Sequence, residues 1–222
     1  METMLSPGRH QDPLVILLLQ EPTHLDAQFA EPSTAAAVMP RLITVSLLAT
    51  GAHALAIGAL LHQSAGDDFY WGTLAVAKAY GLGFFGAQVA ALPSAWFYAL
   101  LAGIRQPAWR VAAEAMRAHA TTSMVQIGLL PVYFAAALGL VFLDPGLFGW
   151  GRIAAGAGYV LPFVSGLAGT TAMYRAFSRQ LAVARLDPDA SRSPAPSLLV
   201  FAWSLLFTAM APLGVAHFYG GL

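Results

Sequence analysis

Residues 42–61, 81–101, 122–142, 153–173 and 198–218 form five stretches without a single Asp, Glu, Lys or Arg. A helix rises about 1.5 Å per residue, so roughly twenty residues cross the ~30 Å hydrocarbon core of a bilayer. A soluble core does not require uncharged runs of that length. In lipid, every backbone N–H and C=O has to be satisfied within the chain, so such runs fold as helices. The pattern predicts an all-α fold, a polytopic membrane bundle of five transmembrane helices. A polar N-terminal segment over residues 1–40 precedes a membrane domain over 41–222.

Composition agrees. Only 10% of the residues are charged and 58% are hydrophobic, against about 25% charged in a soluble domain. The formal net charge is zero, which gives no electrostatic footprint for nucleic acid. The chain has no cysteine, which excludes disulfides, thiolate metal sites and cysteine nucleophiles. Ten arginines against one lysine, with abundant Ala and Gly, point to a GC-rich bacterium and hence to its inner membrane. The first apolar run, residues 14–19, is closed by Glu21 and Pro22. It is too short for a signal-peptide core and is expected to dip into the membrane interface or dock on the bundle.

The basic residues set an orientation. With the N-terminus in the cytoplasm, Arg9, Arg41, Arg105, Arg110, Arg117, Arg175, Arg179, Arg185 and Arg192 fall inside, and Lys78 and Arg152 fall outside. Cytoplasmic loops are enriched in Lys and Arg, so this asymmetry predicts N-in, C-out. Asp67 and Asp68 lie on the outer side beside Tyr70 and Trp71, an aromatic pair suited to the headgroup zone. Residues 73–80 either lengthen the second helix or lie flat on the membrane. On the inner side, Arg110 and Glu114 stand four apart, the spacing of an ion pair along one helical turn. Residues 187–196 are rich in Pro, Asp and Ser and read as an exposed linker.

Helices in lipid associate through close approach at small residues. Gly51 and Gly58 in the first span, Gly83 in the second, and Gly158, Ser165 and Gly169 in the fourth are the expected contact points. Pro93, Pro131, Pro162 and Pro212 each remove a backbone hydrogen bond and predict kinks.

The second span carries a resemblance. Lys78 precedes it, Leu92-Pro93-Ser94 sits at its middle, Trp96-Phe97-Tyr98 follows, and it leaves through Leu100-Leu101-Ala102-Gly103. This order resembles the second helix of bacterial Yip-type proteins, small five-helix membrane proteins related to the Ypt/Rab-interacting family. The resemblance covers residues 41–142. It implies a polar cytoplasmic N-terminus, five spans, an amphipathic link between the second and third, and a non-enzymatic role exerted through partners. The family has no established catalytic residues to carry over.

The residues themselves offer few chemical candidates. Lys78, the only lysine, is expected to snorkel and pair with Asp67 or Asp68, with an ion relay as the alternative. His53, near the middle of the first span, is the one cofactor candidate, as an axial haem ligand opposite His217. The two differ in depth by roughly 12 Å at ~1.5 Å per residue, so a hydrogen bond to a neighbouring helix is the expected role of His53. No metal site, nucleophile elbow or phosphate loop is present in the sequence. No cofactor is therefore predicted, and the enzyme class is left open with a non-enzymatic role favoured.

His53, Gln88, Ser94 and Gln126 are the polar groups that fall at membrane depth. The leading expectation is a non-enzymatic scaffold or accessory protein whose partners are the lipid bilayer and other membrane protein subunits. The alternatives are a small anchor subunit of a redox or transport complex, then a small carrier or channel.

Overall fold

The computed structural model describes residues 22–62, 68–101, 104, 106–143, 150–184 and 196–220. Among them there are helices and no strand. A short helix, α1 (Pro22–Gln28), is followed by five long ones: α2 (Pro32–Leu61), α3 (Phe69–Leu101), α4 (Ala108–Leu143), α5 (Trp150–Ala184) and α6 (Pro196–Gly220). The interfacial stretch expected at residues 14–19 and the linker at 187–195 lie outside the described residues, as does Asp67.

Four of the helices are long and apolar enough to cross a membrane: α2, α3, α4 up to Leu140, and the Leu198–Val215 portion of α6. They are longer than the uncharged runs in the sequence. α2 starts at Pro32, ahead of residue 42, because Pro32 occupies the first helical turn, where its missing N–H costs nothing. In α3, residues 73–80 continue the same helix that carries Pro93, and do not form a separate interfacial one. The amphipathic link before the third span is likewise the first part of α4. No proline stands between Pro107 and Pro131, and the segment is rich in Ala and includes Arg110, Glu114, Met116 and Arg117, all of which favour helix.

Successive long helices run antiparallel, and the crossings occur where side chains are smallest. A Cβ on Gly58 would lie 2.9 Å from the Thr73 backbone, and one on Gly83 would lie 2.5 Å from Val215 N. Gly214 faces Gly83 across the same α3–α6 crossing, so two glycines let these backbones touch. On α5, Gly158 sits against Tyr133 and Ile57, and Gly169 against Ala118 and Thr122 of α4. Gly51, by contrast, has nothing within 4 Å of where its Cβ would be. Ser165 is buried but turns its hydroxyl back onto Pro162 O at 3.1 Å, within its own helix.

The outward faces are apolar. Leu48, Val132, Leu167 and Leu213 are all at least two-thirds exposed, and Tyr70 and Trp71 stand exposed at the start of α3. In water such a surface would be a large liability. In hydrocarbon it is the solvent-compatible face.

Candidate functional site: buried polar groups at three levels

The first level lies beneath α1. Leu25 and Phe29 are fully buried and pack with Leu42, Ala113, Met116 and Ala120, so the short helix plugs the end of the bundle. Thr34 fixes the join between α1 and α2 by donating to Gln28 O and to Glu31 O. Docking of α1 brings Asp26 onto Arg117 of α4. Arg117 also meets Glu114 Oε2 at 2.7 Å, and Arg179 of α5 meets the other oxygen of Asp26 at 2.8 Å. Signs alternate along the chain Glu114–Arg117–Asp26–Arg179, so the group is neutral as a whole. The Arg117 and Glu114 side chains are 3% and 2% exposed, and Phe29 lies under the guanidinium at 5.9 Å. Burying charge this deeply costs several kcal/mol per ion unless each has a partner, which the alternation supplies. The ion pair expected between Arg110 and Glu114 is not the one formed. Glu114 turns toward Arg117, three residues on, because Asp26 draws that guanidinium into the interior.

The second level is the far half of the bundle. His53 is wholly buried, and its Nε2 lies 2.9 Å from Gly158 O on α5. A carbonyl can only accept, so Nε2 carries the proton and donates. A haem iron would need that nitrogen released. Its ring lies 5.9 Å from Tyr80 and 5.7 Å from Tyr133, and Tyr133 donates to Ala154 O at 2.8 Å. Gly158 therefore serves two purposes, since its small size admits Tyr133 and its carbonyl receives His53. The Tyr80 hydroxyl and His53 Nδ1 are buried without a partner among the described residues. A cavity of about 350 Å³ lies alongside, lined by Val76, Tyr80, Phe84, Tyr159, Phe163 and Val215. His217 is exposed near the end of α6. Lys78 and Asp68 are both exposed, and no ion pair joins them among the described residues.

The third level is a cavity of about 250 Å³ between the other two, to which all five long helices contribute. Thr50 comes from α2, Phe84 and Gln88 from α3, and His119, Thr122, Ser123 and Gln126 from α4. Pro162 and Thr170 of α5 and Trp203, Ser204 and Phe207 of α6 complete it. Several of the polar groups are held by specific bonds. Gln88 Nε2 donates to Ala115 O at 3.2 Å, Thr122 to Ala118 O at 3.0 Å, and Thr170 pairs with Ser204 at 3.2 Å. Trp203 donates its indole N–H at 3.1 Å to Ala91 O, two residues before Pro93, and Ser94 donates to the same carbonyl. The tryptophan is thereby a fixed wall, stacked on Phe207 at 5.8 Å. Gln126 is buried, and its Nε2 has no partner among the described residues.

Gln88 and Gln126 were legible as polar groups at membrane depth; Thr50, His119, Trp203 and Phe207 were not. One signal existed: His119, Thr122, Ser123 and Gln126 recur at i, i+3, i+4 and i+7, a single helical face.

Fold and site together define an all-helical, membrane-embedded class of protein with a neutral polar interior and a charged end. No family model, curated protein or solved structure matches the chain.

Proposed function

We propose that the chain is a non-enzymatic accessory or scaffold protein of the bacterial inner membrane that acts beside other membrane proteins, as a Yip-type relationship would imply. In this reading α5 is a fifth span. It is 35 residues long, is seated on α4 through Gly158 and Gly169, and has no charged residue over 153–173. The topology is then N-in, C-out, with the Asp26–Arg117–Glu114–Arg179 cluster on the cytoplasmic side, in keeping with the distribution of arginines.

The observation that carries the reading is the outer surface of α3 around Pro93. Val89, Leu92, Pro93, Trp96, Trp109 and Ala112 line an apolar groove of about 430 Å³ facing lipid. Trp96 and Phe97 are 40% and 56% exposed beside it. Tryptophan dominates binding hot spots because it brings a large rigid area at low entropic cost. A Trp-lined groove beside the C-terminal end of α3 and the N-terminal end of α4, at the level of the charged cluster, suits the cytoplasmic end of a partner's transmembrane helix.

Purification from native membranes in a mild detergent tests this. A membrane protein should co-elute in fixed stoichiometry and be lost on Trp96→Ala. A single clean species in native membrane extracts contradicts the accessory role. A second reading, a small anchor subunit of a redox or transport complex, is favoured by the neutral cavity among the five helices.

A further inference from the structure

The cavity lined by Gln126 and His119 has three properties that together narrow what it holds. No Asp, Glu, Lys or Arg lines it. A phosphate or carboxylate entering it would lose its hydration without gaining a counter-charge, at a cost of several kcal/mol. The occupant is therefore uncharged.

The second property is its polar inventory. Gln126 Nε2 is a donor, buried and unpartnered among the described residues. His119, 7% exposed, touches Phe85 and Phe207 by its ring, and an imidazole offers one N–H donor. A buried donor left without an acceptor costs about 1–3 kcal/mol. The unpartnered Gln126 amide and the His119 imidazole, seven residues apart on one helical face, suit an occupant with carbonyl acceptors.

The third property is shape and access. Trp203 and Phe207 stack at an interplanar angle of 11°, while Phe84 and Phe163 meet at 54° with centroids 6.2 Å apart, so the walls are aromatic and one of them is flat. At the other end, Leu167, Phe201 and Leu205 are 68%, 64% and 60% exposed, so the mouth opens between α5 and α6 toward the lipid.

We propose that this cavity binds the headgroup of a quinone, with carbonyl oxygens on Gln126 and His119, the ring against Trp203, and the isoprenoid tail leaving between α5 and α6. A diacylglycerol or sterol hydroxyl would satisfy one donor but not the flat walls. The inference rests on the membrane embedding described above and is independent of the accessory role.

The full-length protein in phosphatidylcholine nanodiscs, titrated with decylubiquinone and separately with menadione, provides the test. Quinones quench tryptophan, and Trp203 should give a saturable component over the linear quenching caused by partition. Gln126→Leu should raise the midpoint by up to about tenfold, the effect of one hydrogen bond. Leu205→Phe, at a position 60% exposed, should narrow the mouth and weaken the saturable component without adding a tryptophan.

Quenching that stays linear and is unchanged in both variants overturns the proposal. Equal displacement of the quinone by dioctanoylglycerol also overturns it, in favour of a hydroxyl lipid. Failure to insert into nanodiscs overturns it through loss of the lateral opening, and is distinguished by the protein remaining outside the disc fraction. A missing partner in detergent leaves this outcome unaffected.

Discussion

At the α1 end of the bundle, Glu114, Arg117, Asp26 and Arg179 form an alternating row, each within 3 Å of the next. Two to nine residues further along α4, about 3–13 Å at ~1.5 Å per residue, the interior is still polar but carries no charge: His119, Gln126, Gln88 and Thr50 line a cavity. The two regions face different alternatives. Near the end, an ion can be neutralised by a segment that folds back from water, as α1 does. At membrane depth no such segment reaches, and a group must either bond to a helix carbonyl, as His53 and Gln88 do, or await a ligand. Charge therefore marks where the chain is held closed, and neutral polarity marks where it can accept something.

The sharpest way to break this contrast is Arg117→Leu. It leaves Glu114 buried beside Asp26 with no cation between them, and should cost about 3 kcal/mol, the lower end for breaking a buried pair. Unfolding in detergent followed by circular dichroism reads the loss, and α1 should become protease-sensitive. Arg117→Leu combined with Glu114→Gln and Asp26→Asn should recover most of it, because the buried carboxylates are then neutral and the charge left over, Arg179, is 38% exposed. A triple variant as unstable as Arg117→Leu would show that packing, not charge, holds this end.

Next in size is the α3–α6 crossing. Gly83→Ala places a methyl 2.5 Å from Val215 N and should destabilise by roughly 1–3 kcal/mol through overpacking. Gly51→Ala, with open space around it, should be neutral or stabilise by about 0.5–1 kcal/mol, since alanine is the better helix former. Similar losses at both positions would mean the crossings are not set by these contacts. Smaller again is His53→Phe, which keeps the aromatic packing on Tyr80 and Tyr133 but loses the bond to Gly158. A cost of about 0.6–1.7 kcal/mol is expected, the range for interhelical hydrogen bonds in bilayers.

These regions were unequally legible in the sequence. The uncharged runs reveal the long helices, because the length needed to cross lipid and the exclusion of charge act locally. Where α2 and α4 begin is another matter. Residues 32–41 contain Arg41 and residues 108–121 contain Arg110, Glu114 and Arg117, so the uncharged run ends there while helix propensity and packing carry the helix on. Asp26 and Arg117 are 91 positions apart, and no periodicity joins residues on different helices. Arg110–Glu114 was the better local pair by spacing, and a tertiary contact overrode it. The same distinction separates Gly51 from Gly83. Both are glycines in apolar helices, but only the fold puts one of them opposite another glycine.

The proposed topology is a five-span bundle, N-in and C-out, with the charged cluster in the cytoplasm. Because the chain has no cysteine, single cysteines report without background. Glu31→Cys, Asp68→Cys and His217→Cys replace exposed residues at the start of α2, the start of α3 and the end of α6. A membrane-impermeant maleimide applied to intact spheroplasts should label Asp68→Cys and His217→Cys at once, and Glu31→Cys only after the membrane is opened. Labelling of Glu31→Cys from outside, or protection of His217→Cys until opening, would contradict the topology and the five-span count.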